Sequence, residues 1–325
     1  MADFTITIAI PTFNRVSKLG RLLETLDSCI GTSAKGSLIE VLVGDNASQD
    51  GTYKLLRDYR PSNYNLRVIT HRENVGMDGN MRVLYDQARS DYVWFFSDDD
   101  LPKHGCIDKV YETLLKSQAD CLLFEFEQPP GNFTRRLGAG TVPALCDRPH
   151  EIINALTKFP KITTYVIRQV PLSSSTVEYL DQKIGSAFWF IYLSLSIVQS
   201  LGSPKVMILP DFLAQSDRGY NHLAFPPPVW SEYYRVFTHS YVTAVSPQRW
   251  KKERFSSYCW LIELLYGVAH GRYSVNDPKS YGTSAQALTF RWRLLWRKPA
   301  CDKGGGRNHL CRWQANRRKN RVGSD

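Results

Sequence analysis

The sequence predicts an α/β protein in which a mostly parallel β-sheet carries helices on both faces. Between residues 4 and 126, short runs of apolar and β-branched residues alternate with segments whose leucines recur at helical spacing. The segments between the runs are long enough for the right-handed crossovers that join parallel strands. The chain has 325 residues, 43% hydrophobic and 22% charged, which is the composition of an ordinary globular protein with a sizeable core.

Five strands are predicted in this first half, and a helix follows each of the first four. The predicted strands are 4–10, 39–43, 66–70, 92–96 and 121–126. The helices are indicated by Leu19, Leu22, Leu23 and Leu26, by Asp50 as the cap of a helix reaching Tyr59, by the pattern over 80–89, and by the segment after Pro102.

The second half of the chain is less regular. Residues 128–150 are rich in Pro, Gly and Arg, which predicts a loop or linker. Strand-like patterns follow at 161–168, 205–209 and 212–216, and helical ones at 187–198, 233–241 and 258–270. The apolar run 187–198 is shorter than the roughly 18 residues of a membrane span, so a buried helix is predicted there.

Charge and cysteine usage limit the class of protein. Residues 291–325 contain eleven Lys or Arg and two Asp or Glu, so this tail carries most of the net charge of +10. The seven cysteines form no C-x-x-C pair, which indicates reduced thiols in the cytoplasm and argues against a zinc site. The acidic N-terminal residues lead directly into a strand pattern, so no signal peptide is expected.

Polar residues follow four of the predicted strands. These segments are Pro11 to Arg15, Asp45 to Ser48, His71 to Gly76 and Ser97 to Asp100. Ligands of open parallel sheets bind beyond the carboxyl ends of the strands. The four segments are therefore expected to form one site at one rim of the sheet.

The consecutive acids Asp98, Asp99 and Asp100 have several interpretations. Asp100, before Leu101 and Pro102, fits a helix N-cap, which accounts for one or two of the acids. A calcium loop would need a glycine at its sixth position and a glutamate at its twelfth, and the motif order of aspartyl phosphatases is not met. We favour a Mg²⁺ or Mn²⁺ site for a diphosphate, because adjacent carboxylates repel one another unless a cation neutralises them.

Four motifs occur in order: IAIPTFNR at 8–15, VGDNASQDG at 43–51, RENVG at 72–76 and WFFSDDD at 94–100. Over roughly residues 4–126 the chain thereby resembles the family 2 glycosyltransferases with the GT-A fold, which transfer sugars from nucleotide diphosphates. Within that group it is most similar to bacterial transferases that build surface polysaccharides, abequosyltransferase-like enzymes among them. The resemblance implies a GT-A domain over 1–220, with a nucleotide-sugar-binding half (1–127) and an acceptor-side half (150–220). A helical C-terminal extension (221–298) and a basic, disordered tail (299–325) are expected to follow.

The resemblance also implies roles for residues at the rim. Those expected to bind the nucleotide sugar are Pro11, Thr12, Asn14, Arg15, Asp45, Asn46, Arg72, Asn74, Gly76 and Asp98. The first three would face the base, which Asp45 would bind through hydrogen bonds with Asn46 beside it. Asn74 and Gly76 would edge the ribose and diphosphate, where glycine lets the backbone approach closely. Arg72 fits either a phosphate contact or a solvated surface position.

The usual acidic motif of the family is D-x-D-D, and its first Asp falls on Ser97 in this chain. The resemblance therefore implies Asp99 as the chief ligand of Mn²⁺ or Mg²⁺. Asp98 is assigned to the ribose or to the surroundings of the metal, and Asp100 to the metal or to the helix cap. All three acids are included in the expected metal site.

Family 2 enzymes mostly invert the configuration at the anomeric carbon, which requires a carboxylate base for the acceptor hydroxyl. Asp181 is the first candidate for this catalytic role and Glu178 the second, and Asp211 and Asp217 rank below them. A structural alternative stays open, in which Asp181 only caps or flanks the next helix.

Two further groups of residues can be interpreted either as part of the active site or as structural residues. The aromatic residues Phe188, Trp189, Phe190 and Tyr192 either stack on sugar faces or, as the default for such residues, pack in the core. His222 either reaches the site or lies in a surface loop, and the loop is favoured.

The segment 285–325 mixes aromatic, leucine and basic residues. Leu288, Trp292 and Leu295 share one helical face and Arg291 and Lys298 lie away from it, which is typical of a helix in a membrane interface. We therefore expect peripheral contact with the cytoplasmic membrane face, which suits a polyprenol-linked glycan acceptor. A nucleic-acid partner is not favoured, because the rest of the chain is nearly neutral.

The leading functional hypothesis is a hexosyl- or deoxyhexosyltransferase acting on a glycan or lipid-linked glycan. A sugar-phosphate nucleotidyltransferase is the first alternative, but it would carry a glycine-rich phosphate loop where this chain has PTFNR. A non-catalytic nucleotide- or carbohydrate-binding protein is the second, and the acids at the rim argue against it. The sequence does not identify the nucleotide of the donor, which could be UDP, GDP, CDP or dTDP. It also leaves open the sugar, the linkage and the oligomeric state.

Overall fold

The computed structural model describes residues 3–128, 130–137 and 140–217. The strands there are β1 (Ile6–Thr12), β2 (Ile39–Asp45), β3 (Asn65–Thr70), β4 (Tyr92–Phe95), β5 (Asp100–Pro102), β6 (Cys121–Glu127), β7 (Ala144–Cys146), β8 (Tyr165–Arg168) and β9 (Val206–Ser216). The helices are α1 (Val16–Gly31), α2 (Thr52–Asp58), α3 (Gly76–Gln87), α4 (Cys106–Ser117), α5 (Pro149–Lys158), α6 (Ser174–Asp181) and α7 (Trp189–Ser200). The predicted extension 221–298 with its helices, the tail 299–325, His222 and the membrane contact at 285–325 lie outside the described residues.

The strands form one sheet in the order β3-β2-β1-β4-β8-β6-β9-β5, with β7 paired to β9. β3, β2, β1 and β4 are parallel neighbours, and the register places Asp45 beside both Thr12 and Thr70. A helix follows each of these four strands along the chain, with β5 intervening after β4. The predicted alternation of strands and helices is confirmed in this part of the chain.

Beyond β4 the sheet is mixed. β8 runs antiparallel to both of its neighbours, β4 and β6. β6 and β9 are parallel, while β5 and β7 are antiparallel to β9. Because β8, from the second half, lies between β4 and β6 of the first half, a single sheet spans both predicted halves of the domain.

Each face of the sheet has its own hydrophobic core. Ile6, Ile8 and Ile10 pack with α1, α2 and α4, whereas Ala9 and Phe95 pack with α3, α5, α6 and α7. Successive residues of a strand point to opposite faces, so a strand buried on both faces is apolar throughout rather than alternating. The four leucines that predicted α1 are fully buried.

The apolar run in the second half forms α7. The four aromatic residues at its start, Phe188, Trp189, Phe190 and Tyr192, are all buried, so their interpretation as core residues is confirmed. In the described ranges, no helix combines the length and the apolar character that crossing a bilayer requires.

Three predictions about element boundaries are wrong. Asp100 is not a helix cap, because Asp100–Pro102 pairs with β9 as β5 and α4 begins only at Cys106, after Gly105. The segment 128–150 contains β7 and the start of α5 as well as loop. The two patterns at 205–209 and 212–216 form the single strand β9, whose register shifts where Pro210 interrupts the ladder with β6.

The start of α2 also differs from the prediction. Gly51, at φ 97°, is its N-cap, and Asp50 lies one residue earlier. The Asp50 carboxylate accepts the N–H groups of Thr52 (3.1 Å) and Val16 (2.8 Å). Asp50 therefore ties the first turns of α1 and α2 together beside the rim.

Candidate active site

The rim at the carboxyl ends of the parallel strands brings β1 and the segment after β4 into direct contact. The Thr12 hydroxyl donates to Asp98 Oδ2 at 2.7 Å, and Arg15 Nη1 donates to Asp98 Oδ1 at 2.7 Å. Burial raises the pKa of Asp98, and the charge of Arg15 and the Thr12 hydrogen bond oppose this effect. Three residues predicted from two separate motifs therefore form one cluster.

Asp99 lies on the more accessible side of this cluster. The Ser97 hydroxyl donates to Asp99 Oδ1 at 2.6 Å, and Arg15 Nη1 and Lys18 Nζ lie 3.0 and 3.8 Å from Asp99 Oδ2. Burial acts to raise the pKa of Asp99, but Lys161, the Ser97 hydrogen bond, Arg15 and Lys18 together hold it below its usual value. Asp99 is therefore an ionised carboxylate at neutral pH.

Asp100 faces the protein interior and is fully buried. Lys161 Nζ lies 2.8 Å from its Oδ1 and 2.7 Å from its Oδ2, and the Thr163 hydroxyl also donates to it. Burial raises the pKa of Asp100, with Lys161 opposing. Both oxygens are engaged from inside the protein, so the geometry favours an anchor for the acidic loop over the expected metal ligand.

Asp45 ends β2 and is almost completely buried. Its Oδ1 accepts the Ser48 N–H at 3.0 Å, whereas its Oδ2 has no hydrogen-bond partner in the described part of the chain. A buried carboxylate oxygen without a donor is costly, so a site that leaves one is suited to a ligand N–H group. The nucleobase contact predicted for Asp45 fits this geometry.

Asn14 connects the loops that follow β1 and β2. Its backbone N–H donates to the Ser48 hydroxyl at 2.9 Å, and its Oδ1 accepts the Gln49 N–H at 2.7 Å. Asn14 lies at φ 52°, in the left-handed region where Asn is one of the few favoured residues. The side chain is thus used to shape the wall predicted against the base.

Asn46 holds the turn between β3 and α3. Its amide donates to Asn74 Oδ1 at 2.8 Å and to the Gly76 carbonyl at 3.2 Å, and its Oδ1 accepts the Val75 N–H at 2.9 Å. Gly76 has φ 77° and open space around the position of a Cβ atom. The loops of β2 and β3 are therefore bonded side by side, with Gly76 at their open edge.

Pro11 and Arg72 have fewer contacts. Pro11 lies in β1 opposite Gly44, half-buried at the rim. Arg72 is exposed and forms no ion pair with any residue of the described ranges, which leaves both of its predicted interpretations open.

The predicted base residues are on α6 and have partners other than the acidic cluster. Asp181 is the last residue of α6, and its Oδ1 lies 3.1 Å from Arg82 Nε on the flank of α3. Arg82 is six residues after the start of α3, about 9 Å along the helix axis from the rim. The structure thus pairs Asp181 with Arg82. Glu178 lies one turn earlier on α6 and lines a surface groove together with Leu172.

Sequence reasoning missed Asp78, a buried acid in the first turn of α3. Its Oδ2 accepts the Ala187 N–H at 2.8 Å and the Ser186 hydroxyl at 3.3 Å, directly before α7. Asp78 thereby fixes the turn that leads into α7, whose N-cap residue Phe188 has no side-chain cap of its own. Asp78 lies in an otherwise ordinary helix start, so nothing in the sequence indicates that it bonds Ser186 and Ala187.

A second missed feature is the basic face of α1. Arg15, Lys18 and Arg21 recur every three residues, and Arg21 pairs with Asp217. The Asp217 N–H donates to the Asp99 carbonyl at 3.0 Å, so β9 also ends at this rim. The three-residue spacing is a helical-face signal that could have been recognised in the sequence.

The side chains at this rim are suited to bind a divalent cation together with a diphosphate. Among the described residues, no three His, Cys, Asp or Glu side chains are grouped as a metal cage. Asp98 and Asp99 nevertheless offer hard oxygen ligands, and Mg²⁺ sites commonly combine one or two carboxylates with substrate phosphates. Arg15 Nη1, within 3.0 Å of both, already acts as a cation between the two carboxylates.

Comparisons with known sequences point to one family. Residues 7–168 match the model "Glycosyl transferase family 2". Over 122 residues the chain is 38% identical to the abequosyltransferase RfbV of Salmonella typhimurium, covering 36% of this chain and 34% of that protein. It is 25% identical over 128 residues to the glycosyltransferase AglE of Haloferax volcanii, covering 39% and 41%. The chain thus spans well under half the length of these relatives.

Solved structures share the fold at low sequence identity. The S. aureus TarS 1–349 structure in complex with UDP-GlcNAc has a TM-score of 0.56 at 16% identity, covering 78% of this chain and 72% of that one. The mannosyltransferase PcManGT from Pyrobaculum calidifontis, in complex with GDP-Man and Mn²⁺, has a TM-score of 0.51 at 15% identity, covering 92% and 89%. The predicted GT-A fold is thereby confirmed.

Proposed function

We propose, on the premise that residues 7–168 of this chain belong to glycosyl transferase family 2, that the protein transfers a sugar from a nucleotide diphosphate to a glycan or lipid-linked glycan. The similar proteins are named as glycosyltransferases, and two of the structural neighbours hold UDP-GlcNAc or GDP-Man. These names support a nucleotide-sugar donor and leave its base and sugar open.

The observation that carries this proposal is Asp45 Oδ2, which has no hydrogen-bond partner among the described residues and lies at the same rim as the Asp98–Asp99 pair. β1 lies between β2 and β4, so the two acidic positions are two strands apart, or about 10 Å. If the nucleobase binds at Asp45, the ribose and diphosphate would occupy the distance between the two acidic positions. The diphosphate would then lie beside Asp98 and Asp99.

Asp98 and Asp99 would hold Mn²⁺ or Mg²⁺ together with the donor phosphates. The bound ion would supply positive charge where the leaving diphosphate develops negative charge. The chain's own residues prepare this position: Thr12 orients Asp98, Ser97 orients Asp99, and Lys161 fixes the loop through Asp100.

We propose a single displacement with inversion, in which a carboxylate accepts the proton of the acceptor hydroxyl. Asp181 is kept as the proposed base and Glu178 as the second choice. Arg82 engages Asp181, so a base role requires that this ion pair open when the acceptor binds. A lipid-linked acceptor would suit the proposed peripheral membrane contact of residues 285–325.

A thermal-shift panel on the full chain tests the donor class. UDP, GDP, CDP and dTDP are each added with and without Mn²⁺, and one of them is expected to raise the melting temperature in a Mn²⁺-dependent way. Asp45→Asn is expected to weaken binding of that nucleotide about tenfold, because a hydrogen bond to a charged group is lost. Asp58→Asn, on the exposed side of α2, is the matched control. Failure of every nucleotide to stabilise the chain would contradict the proposal.

A further inference from the structure

Arg15 contacts both of the acids that would hold the metal ion. The same Nη1 atom lies 2.7 Å from Asp98 Oδ1 and 3.0 Å from Asp99 Oδ2. Asp100 does not share this cation, because Lys161 compensates it from the interior. At the rim, the charge of the accessible acid pair is balanced by Arg15, with Lys18 at a longer distance, and Lys161 also acts on Asp99 from the interior.

Arg15 is also more accessible to solvent than either acid. Its side chain is 43% exposed, whereas those of Asp98 and Asp99 are 5% and 13% exposed. It lies just before α1, outside any strand or helix, and no other acid of the described residues pairs with it. The guanidinium has five N–H donors in a planar fork, which matches phosphate oxygens in bidentate geometry.

We propose that Arg15 is an exchangeable cation that makes metal binding and donor binding depend on each other. Without donor, Arg15 neutralises Asp98 and Asp99 and competes with the metal for the same oxygen atoms. When a nucleotide diphosphate binds, its phosphates give the guanidinium new partners beside the cluster, and the acid pair becomes available to the metal. This proposal rests on the proposed function and adds an order to the binding events.

The exchange has a reciprocal consequence. If the diphosphate raises the affinity for the metal by some factor, the metal raises the affinity for the diphosphate by the same factor. A neutral residue at position 15 removes the competitor, so the metal should bind the nucleotide-free protein more tightly. The same change removes a phosphate contact, so the nucleotide should bind less tightly.

The direct test is a titration of the full chain with Mn²⁺ alone, followed by the electron paramagnetic resonance signal of the free ion. Arg15→Gln is expected to bind Mn²⁺ about tenfold more tightly than the wild type, within the usual range of such couplings. Arg15→Lys keeps the charge and is expected to bind Mn²⁺ weakly, as the wild type does. Arg57→Gln removes the same charge from the exposed face of α2 and is expected to change nothing.

A second titration contains the nucleoside diphosphate that stabilises the chain. The wild type is expected to gain Mn²⁺ affinity about tenfold or more, and Arg15→Gln to gain much less. Unchanged or weaker Mn²⁺ binding by a folded Arg15→Gln protein would overturn the exchange, as would a wild type that binds Mn²⁺ alone as tightly as it does with nucleotide. Because the first titration contains no nucleotide, it tests Arg15 even if no diphosphate binds. If Arg15→Gln does not fold, the charge-retaining Arg15→Lys is compared with the wild type in both titrations.

Discussion

Asp98, Asp99 and Asp100 are adjacent in the chain but face different partners. Thr12 and Arg15 hold Asp98, while Asp99 is bonded to Ser97 and partly open to solvent. Asp100 points inward to Lys161 and is fully buried. The Asp100 N–H donates to the Ser97 carbonyl at 3.1 Å and closes a turn, which leaves Asp98 and Asp99 at the rim while Asp100 enters β5. Asp100 therefore has a different role from the other two acids.

Removal of Asp100 is expected to act mainly on stability. Asp100→Ala removes one partner of a buried ion pair with Lys161, and breaking such a pair typically costs about 3–5 kcal/mol. Asp99→Ala is expected to cause the largest loss of activity and a smaller loss of stability, since its carboxylate lies at the rim. Urea unfolding of both variants, together with donor turnover, measures the difference.

A double variant controls for this interpretation. Asp100→Leu combined with Lys161→Met removes both charges and is expected to recover part of the stability lost in Asp100→Ala. Equal losses of unfolding free energy in Asp99→Ala and Asp100→Ala would show that the proposed division of roles is wrong.

At the scale of elements, Asp78 joins the start of α3 to the start of α7. The carboxylate accepts the Ala187 N–H and the Ser186 hydroxyl, and its Oδ1 is buried with no hydrogen bond to the described part of the chain. Burial raises the pKa of Asp78 above its usual value, although the neighbouring N–H groups oppose this. Asp78 thus ties the segment between α6 and α7 to the start of α3 at the rim.

The raised pKa predicts a pH-dependent contribution of Asp78 to stability. The native state holds the proton more tightly than the unfolded state, so this contribution is largest at low pH and is lost as pH rises through the raised pKa. Asp78→Asn cannot titrate and lacks this dependence. Urea unfolding from about pH 4 to about pH 8 should show the wild type losing stability relative to Asp78→Asn as pH rises. Parallel curves for the two proteins would contradict the prediction.

At the scale of the whole molecule, one sheet unites sequence segments that looked like separate halves. β8 pairs antiparallel with β4 on one side and β6 on the other, and β9 then ends at the same rim as the acids. The predicted extension and tail follow this sheet in the sequence and lie outside the described residues. The function proposed for that part is membrane attachment.

Deletion of residues 285–325 is expected to leave donor hydrolysis intact and to release the protein from anionic lipid vesicles. Each Lys or Arg near an anionic surface contributes about 1 kcal/mol, so a loss of eleven such residues should lower vesicle binding by far more than tenfold. Cosedimentation with anionic vesicles measures this, and neutral vesicles are the control. Equal sedimentation of the full and the shortened chain would contradict the membrane proposal.

The sequence by itself determined the alternation of strands and helices, the polar rim and the position of the acidic cluster. These features depend on local periodicity and on the direction of the chain, which a single sequence shows directly. The basic face of α1 was also present in the sequence, as a three-residue spacing.

Only the tertiary structure decided which charged groups meet. Lys161 reaches Asp100 across 61 positions of sequence, and Asp78 reaches Ala187 across 109. Asp181, expected near the reacting groups, pairs instead with Arg82. A buried ion pair or a helix cap forms wherever packing brings a charge to an unsatisfied group. The strand direction and helix packing that bring them together arise from contacts distant in sequence, which no local pattern contains.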